Sequence, residues 1–235
     1  MLVEEYINAL KKNNERKKIE NIVKEYNKEI DFRLSNPALT KPSTVYALSI
    51  TSLMMSLIPL CLKEENISLA IRLIYIFPPL VVSIITIILF IRFKRSKKLD
   101  KKKFFIFINS FIGEIIGICF SGIYMMQFLL FSNWNSIDYL KSLIILVVLL
   151  ISITLVSVRN VPKKFIKQFT GENTYKNQSK IYGSIATTLV IIANMTKPYR
   201  LMLVGAYIVL IWSTPKFVYE IYKVKKYDYI QSLLK

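Results

Sequence analysis

Glu114 is the residue in this chain best placed to do chemistry. It is the only acidic residue inside any of the membrane spans that the sequence predicts. A carboxylate surrounded by hydrocarbon is costly, and it responds by taking a proton, by pairing or by facing a wet cavity. Ser110, Glu114, Gly117, Ser121 and Tyr124 recur at helical spacing, and Asn109, Gly113 and Gly117 make an adjacent small and polar stripe. Small residues let a second helix approach closely, so this face is expected to look into a helical bundle. Ser110, Gly113, Glu114, Gly117 and Ser121 are therefore the candidate functional set. They would form a cation or proton site, or the recognition point for a ligand held in the membrane. The structural alternatives are an interhelical hydrogen bond from a protonated carboxyl, or a pair with Arg92 or Arg159 reaching inward.

Other chemistry is thinly supplied. The chain has no histidine, which removes Ser-His-Asp and Cys-His catalysis and HExxH zinc proteolysis. Cys61 and Cys119 lie in apolar runs without CxxC spacing and read as packing residues. Gly171-Glu172-Asn173 reads as a turn, since the GxxxxGK[ST] phosphate loop is absent. One intramembrane carboxyl is thin equipment for hydrolysis. No enzyme, cofactor or metal site is expected.

The elements that must position Glu114 follow from the distribution of charge. The 235 residues are 53% hydrophobic with a formal net charge of +18. The apolar residues come in long blocks: residues 42–62, 73–91, 115–137 and 142–158 hold no charge at all. A bilayer core about 30 Å thick needs roughly 20 apolar helical residues to cross it. The expected fold is all-α, a polytopic transmembrane helical bundle of about six spans: 44–62, 68–91, 104–131, 140–158, 181–196 and 199–214. The last two are short, about 24 Å at the helical rise, which suits two short spans or a re-entrant hairpin. Pro78-Pro79 in the second span removes two backbone donors and predicts a kink.

Three segments result. Residues 1–43 read as a cytoplasmic N-terminal helical segment, 44–214 as the transmembrane bundle and 215–235 as a basic cytoplasmic tail. In the first, Leu2, Val3, Tyr6, Ile7 and Leu10 share a helical face, as do Ile19, Ile22, Val23, Tyr26 and Ile30 after a polar break at Asn13 and Asn14. Of the 33 Lys and Arg residues, 28 fall on the side of this layout that holds both chain ends. The positive-inside rule makes that side cytoplasmic. A basic soluble protein would suggest nucleic acid, but here the charge sits in blocks between apolar runs, so nucleic acid is not an expected partner. Anionic lipid headgroups at the basic cytoplasmic loops are.

Lys outnumbers Arg by 26 to 7, a bias of AT-rich bacterial genomes. The expected location is a bacterial cell membrane, multi-pass, with both termini cytoplasmic. Two function classes fit without a motif that ties the chain to a family. One is a non-enzymatic binding or protective protein of the toxin- or bacteriocin-immunity type, whose partner is a membrane protein or a membrane-active peptide. The other is the permease subunit of a small transport or export system with Glu114 in the pathway.

Overall fold

The computed structural model describes residues 3–35, 42–62, 67–95, 101–131, 133–170 and 198–233, and all the regular structure among them is helical. Seven helices follow one another: α1 (Val3–Lys12), α2 (Arg16–Leu34), α3 (Pro42–Cys61), α4 (Leu69–Lys94), α5 (Lys101–Leu130), α6 (Ser136–Phe169) and α7 (Pro198–Ser232).

Local sequence sets the helix ends. α1 opens with Glu4 and Glu5 and closes with Lys11 and Lys12, charges that complement the helix dipole. Asn14 then takes a left-handed conformation, φ 57°, which asparagine tolerates better than most residues. It turns the chain into α2 at the polar break seen in the sequence. Pro42 stands at the first position of α3, where its missing N–H costs nothing. Ser68 caps α4, and its backbone N–H donates to Ser136 Oγ at 2.8 Å, tying the starts of α4 and α6 together. Asn135 and Asp138 form a reciprocal capping box at the start of α6.

Among the described residues four helices are long and apolar enough to cross a membrane: α4, α5, α6 and the Met202–Ser232 part of α7. α3 is apolar too, with a shorter stretch at Val45–Cys61. The expected count of six spans is met in part. The fifth, 181–196, lies outside the described residues. The sixth, 199–214, is no short element but the first half of a 35-residue helix. The basic residues after 214 mark where apolar sequence stops, not where the helix stops. Pro215 sits inside α7 without ending it. The two residues before it, Ser213 and Thr214, donate their hydroxyls to the Leu210 carbonyl, at 3.3 and 2.7 Å.

α4 packs against both α3 and α5, α5 against α7, and α7 against α6. The outer faces are apolar. Leu73, Ile74, Phe77, Ile84, Ile85 and Ile88 of α4 are exposed, and so are Ile144, Ile145, Val148, Ile151, Leu155 and Val156 of α6. Only 17% of the apolar window of α6 is buried. A surface this rich in exposed aliphatic side chains suits lipid as solvent and not water.

α6 and α7 are about 51 and 52 Å long at the usual helical rise, well beyond the roughly 30 Å of a hydrocarbon core. Their excess length, with the start of α5, builds a second layer at one end, and α1 and α2 lie against it. Val3, Ile7 and Leu10 of α1 and Ile19, Ile22, Val23, Tyr26 and Ile30 of α2 share one core with Phe104, Phe105, Phe165, Phe169, Tyr219 and Ile230. Tyr26 is fully buried and touches the rings of Phe105, Phe165, Phe169 and Tyr227. Both terminal segments thus meet at the same end of the bundle. Residues 215–233, expected as a basic tail, are helical and carry the buried Tyr219, Glu220, Lys223 and Ile230.

Candidate functional site

α5 brings its polar stripe to the inside of the bundle. Gly113, Glu114, Gly117, Ser121 and Tyr124 are buried, and Ser110 is half-buried. The two glycines are contact points. A Cβ at Gly117 would stand 2.8 Å from the Cα of Pro79, and one at Gly113 would stand 3.2 Å from the ring of Phe217 and 3.3 Å from Val82. The Gly117 approach is backbone against backbone. Small residues at this spacing allow α4 and α5 to close on each other, and Pro79 lies on the partner face while Pro78 is exposed. α4 runs as one helix through both prolines.

Glu114 is 3% exposed, where α3, α4 and α5 converge. Its Oε2 accepts from Ser49 Oγ of α3 at 3.4 Å, long for an O–H donor to oxygen. Ser83 of α4 also reaches toward the carboxyl. Its Oε1 has no hydrogen-bond partner among the described residues. The pairing with Arg92 or Arg159 is not seen: both side chains are exposed, and no cation among the described residues is paired with Glu114.

Around the carboxyl runs a lane of hydroxyls. Ser52 of α3 and Ser83 of α4 lie 2.7 Å apart, oxygen to oxygen, and Thr86 of α4 and Ser110 of α5 lie 2.8 Å apart. Ser49, Ser52, Ser56, Ser83 and Thr86 are all fully buried. The expected set therefore divides. Ser110 and Glu114 join the polar lane, Gly113 and Gly117 make the close helix contacts, and Ser121 stands two turns along α5. The Ser121 hydroxyl finds no partner among the described residues.

The α3 and α4 hydroxyls were not expected at the site. Their signal is Ser49-Ser52-Ser56 at spacings of three and four, and Ser83-Thr86 at three. It is easy to miss, because single serines scattered in apolar helices usually bond back to their own backbone, as Ser56 does to Leu53.

A second polar cluster sits in the end layer. Lys223 is fully buried, with its ammonium 2.8 Å from Glu29 and 2.9 Å from Glu220. Arg33 closes the square, 2.5 Å from Glu29 and 2.9 Å from Glu220. Burial opposes the charge on Arg33, but Glu220 and Glu29 outweigh it and hold its pKa above the usual arginine range. Gln168 of α6 donates to Glu29 at 3.0 Å and accepts from Tyr219. Two carboxylates and two cations balance, and each is held by groups from more than one helix. The charges pair off, with Glu220 Oε2 left without a hydrogen-bond partner among the described residues. The cluster is a fastening between α2, α6 and α7, whereas no cation among the described residues pairs with Glu114.

No family model, no curated protein and no solved structure matches the chain.

Proposed function

We infer that this chain is a non-enzymatic multi-pass protein of a bacterial cell membrane that works by binding within the bilayer, of the kind that shields a cell from a membrane-active peptide or toxin. The single observation that carries the reading is Glu114: a carboxyl almost completely buried, with Oε1 unpartnered among the described residues and Oε2 holding a long hydrogen bond from Ser49, with the Ser83 hydroxyl beside it. An unsatisfied buried acceptor costs about 1–3 kcal/mol, and a carboxyl kept only for packing would lose that cost on replacement by an apolar residue. Retaining it gives the bundle a polar point at which a donor from a membrane-inserted partner can finish the pairing.

The remaining features suit the same role. On the expected exterior side the loops, about 63–67, 132–139 and the tip near Pro198, are too short to form a receptor domain, so recognition falls to the helices. The end that holds α1, α2 and the last turns of α7 carries most of the Lys and Arg residues, which supports a cytoplasmic end with anionic lipid around its rim.

The hydroxyl lane favours a second reading, the permease subunit of a transport system. Ser49, Ser52, Ser83, Thr86 and Ser110 extend the polar character of Glu114 across three helices, and polar lanes through bundles line transport pathways.

The test is a challenge assay. Bacteria expressing the chain are exposed to a panel of membrane-active peptides, beside cells expressing Glu114→Gln at equal membrane abundance. Protection predicts that the wild type raises the tolerated dose of at least one peptide several-fold and that the variant returns it to the level of empty cells. A tolerated dose unchanged across the panel overturns the protective reading. An altered cellular content of a small solute, lost in the variant, would favour the transport reading instead.

A further inference from the structure

We propose that Glu114 and the buried hydroxyls of Ser49, Ser52 and Ser83 form a binding site for a sodium ion, held between α3, α4 and α5. This rests on reading the Glu114 cluster as the working site, and it adds the chemical class of its occupant.

The donor set comes first. Every polar group at the site is an oxygen: a carboxylate on α5, hydroxyls on α3 and α4, and the Thr86–Ser110 pair one turn away. Oxygen-only sites suit hard cations and not transition metals. Charge comes next. A single carboxylate balances a single positive charge, so a monovalent ion leaves the site neutral, whereas a divalent ion would strand a net charge in an apolar bundle.

The hydrogen-bond pattern points the same way. As a carboxylate, Glu114 wants donors at both oxygens, and as a neutral acid its proton wants an acceptor. Oε1 has neither among the described residues. A cation seated against Oε1 satisfies it without any donor. Size separates the alkali ions. The Ser52 and Ser83 hydroxyls already touch at 2.7 Å, so the smaller ion demands less spreading of α3 from α4 than potassium does.

The convergence of three helices makes the site responsive as well. Ser49 and Ser52 stand on α3, Ser83 on α4 and Glu114 on α5, so an ion bound by all of them draws three separate helices onto one point. Binding only to this assembled state stabilises it by mass action.

The experiment uses the full chain, purified in detergent at neutral pH. Thermal unfolding is followed in NaCl, KCl and choline chloride at equal ionic strength, and bound radioactive sodium is counted per chain. The expected result is a saturable rise of several degrees in Tm with sodium, little or none with potassium or choline, and about one displaceable sodium ion per chain. Ser83→Ala should weaken the apparent sodium affinity several-fold, read as the sodium-dependent rise above that variant's own Tm in choline. Glu114→Gln should abolish the sodium-specific shift; if that variant does not fold, Ser83→Ala carries the test. Equal shifts in sodium and potassium overturn the proposal. So does a Tm that follows pH but ignores sodium, which would make Glu114 a proton site, and so does sodium binding that Ser83→Ala leaves unchanged. None of these outcomes changes the peptide-challenge assay, so protection stands or falls separately.

Discussion

The ammonium of Lys223 lies 2.8 Å from the carboxylate of Glu29, and no part of the lysine side chain is exposed. Residues 194 apart in the chain are thereby joined at the point where α2 meets α7. Removing one partner of a buried, hydrogen-bonded ion pair leaves the other charge stranded, a loss of about 3–5 kcal/mol. Lys223→Met is expected to loosen α1 and α2 from the bundle, read as faster amide hydrogen exchange across residues 19–30. Adding Glu220→Gln to that variant should restore much of the protection, because one stranded charge is removed. If the double variant exchanges as fast as the single one, the charge balance is not what holds the layer.

The Gly117–Pro79 approach gives a sharper steric prediction. A methyl group at Gly117 would stand 2.8 Å from a backbone atom of α4, and backbone cannot swing aside as a side chain can. Gly117→Ala should cost about 1–3 kcal/mol, the usual range for overpacking, seen as a lower Tm in detergent. Gly122 and Gly205 have nothing within 4 Å of the same position. Alanine at either should leave Tm unchanged or slightly raised, since glycine weakens a helix interior.

Acid should act first on the N-terminal helix. A hydrogen bond from Lys226 holds the Glu4 carboxyl below its ordinary value of 4.5. A group whose pKa is depressed by folding contributes stability above its unfolded value and loses it as pH falls through the folded one. The attachment of α1 to α7 is therefore fully present at neutral pH and weakens progressively below about 4.5. Amide protection in α1, corrected for the intrinsic exchange rate at each pH, should fall over that interval, and Glu4→Gln should show already at neutral pH part of the loss that acid produces in the wild type. Protection in α1 that acid changes equally in both proteins would show that other groups govern its attachment.

Thiol labelling checks the orientation. Cys61 is exposed at the end of α3 and Cys119 is buried in α5. A membrane-impermeant maleimide added to intact cells should modify Cys61, and it should do so equally in Cys119→Ser. A cysteine placed at Lys225 in a Cys61→Ser background should react only after the cells are opened. Labelling of position 225 from outside would invert the assignment of the two faces.

Much of this architecture was legible because lipid exposure and burial leave different marks on sequence. Uncharged runs located α4, α5 and α6. The spacing of Ile19, Ile22, Val23, Tyr26 and Ile30 located the buried face of α2, and Asn13-Asn14 located the turn before it. The end of α7 was not legible. A run of lysines after residue 214 signals only a change of solvent, and the same residues go on as helix because Tyr219 and Ile230 have a core to join. At the candidate site, Glu114 announces itself by charge, and Gly117 by the absence of a side chain. Ser52 and Ser83 do not, because a serine in an apolar helix reads the same whether it bonds its own carbonyl or a hydroxyl 31 residues away. Nor could Glu29 and Arg33 be told from ordinary surface charges of α2 before Glu220 and Lys223 were found facing them.

The order in which a ribosome delivers these helices gives the α1–α2 contact a consequence of its own. The apolar stripe of α2 is covered by residues of α5, α6 and α7 together, and α7 is made last of the seven. Through most of synthesis, then, the hairpin waits with its apolar stripe incompletely covered. Until its late-born partner arrives, it needs either the nascent membrane surface or a chaperone to shelter it.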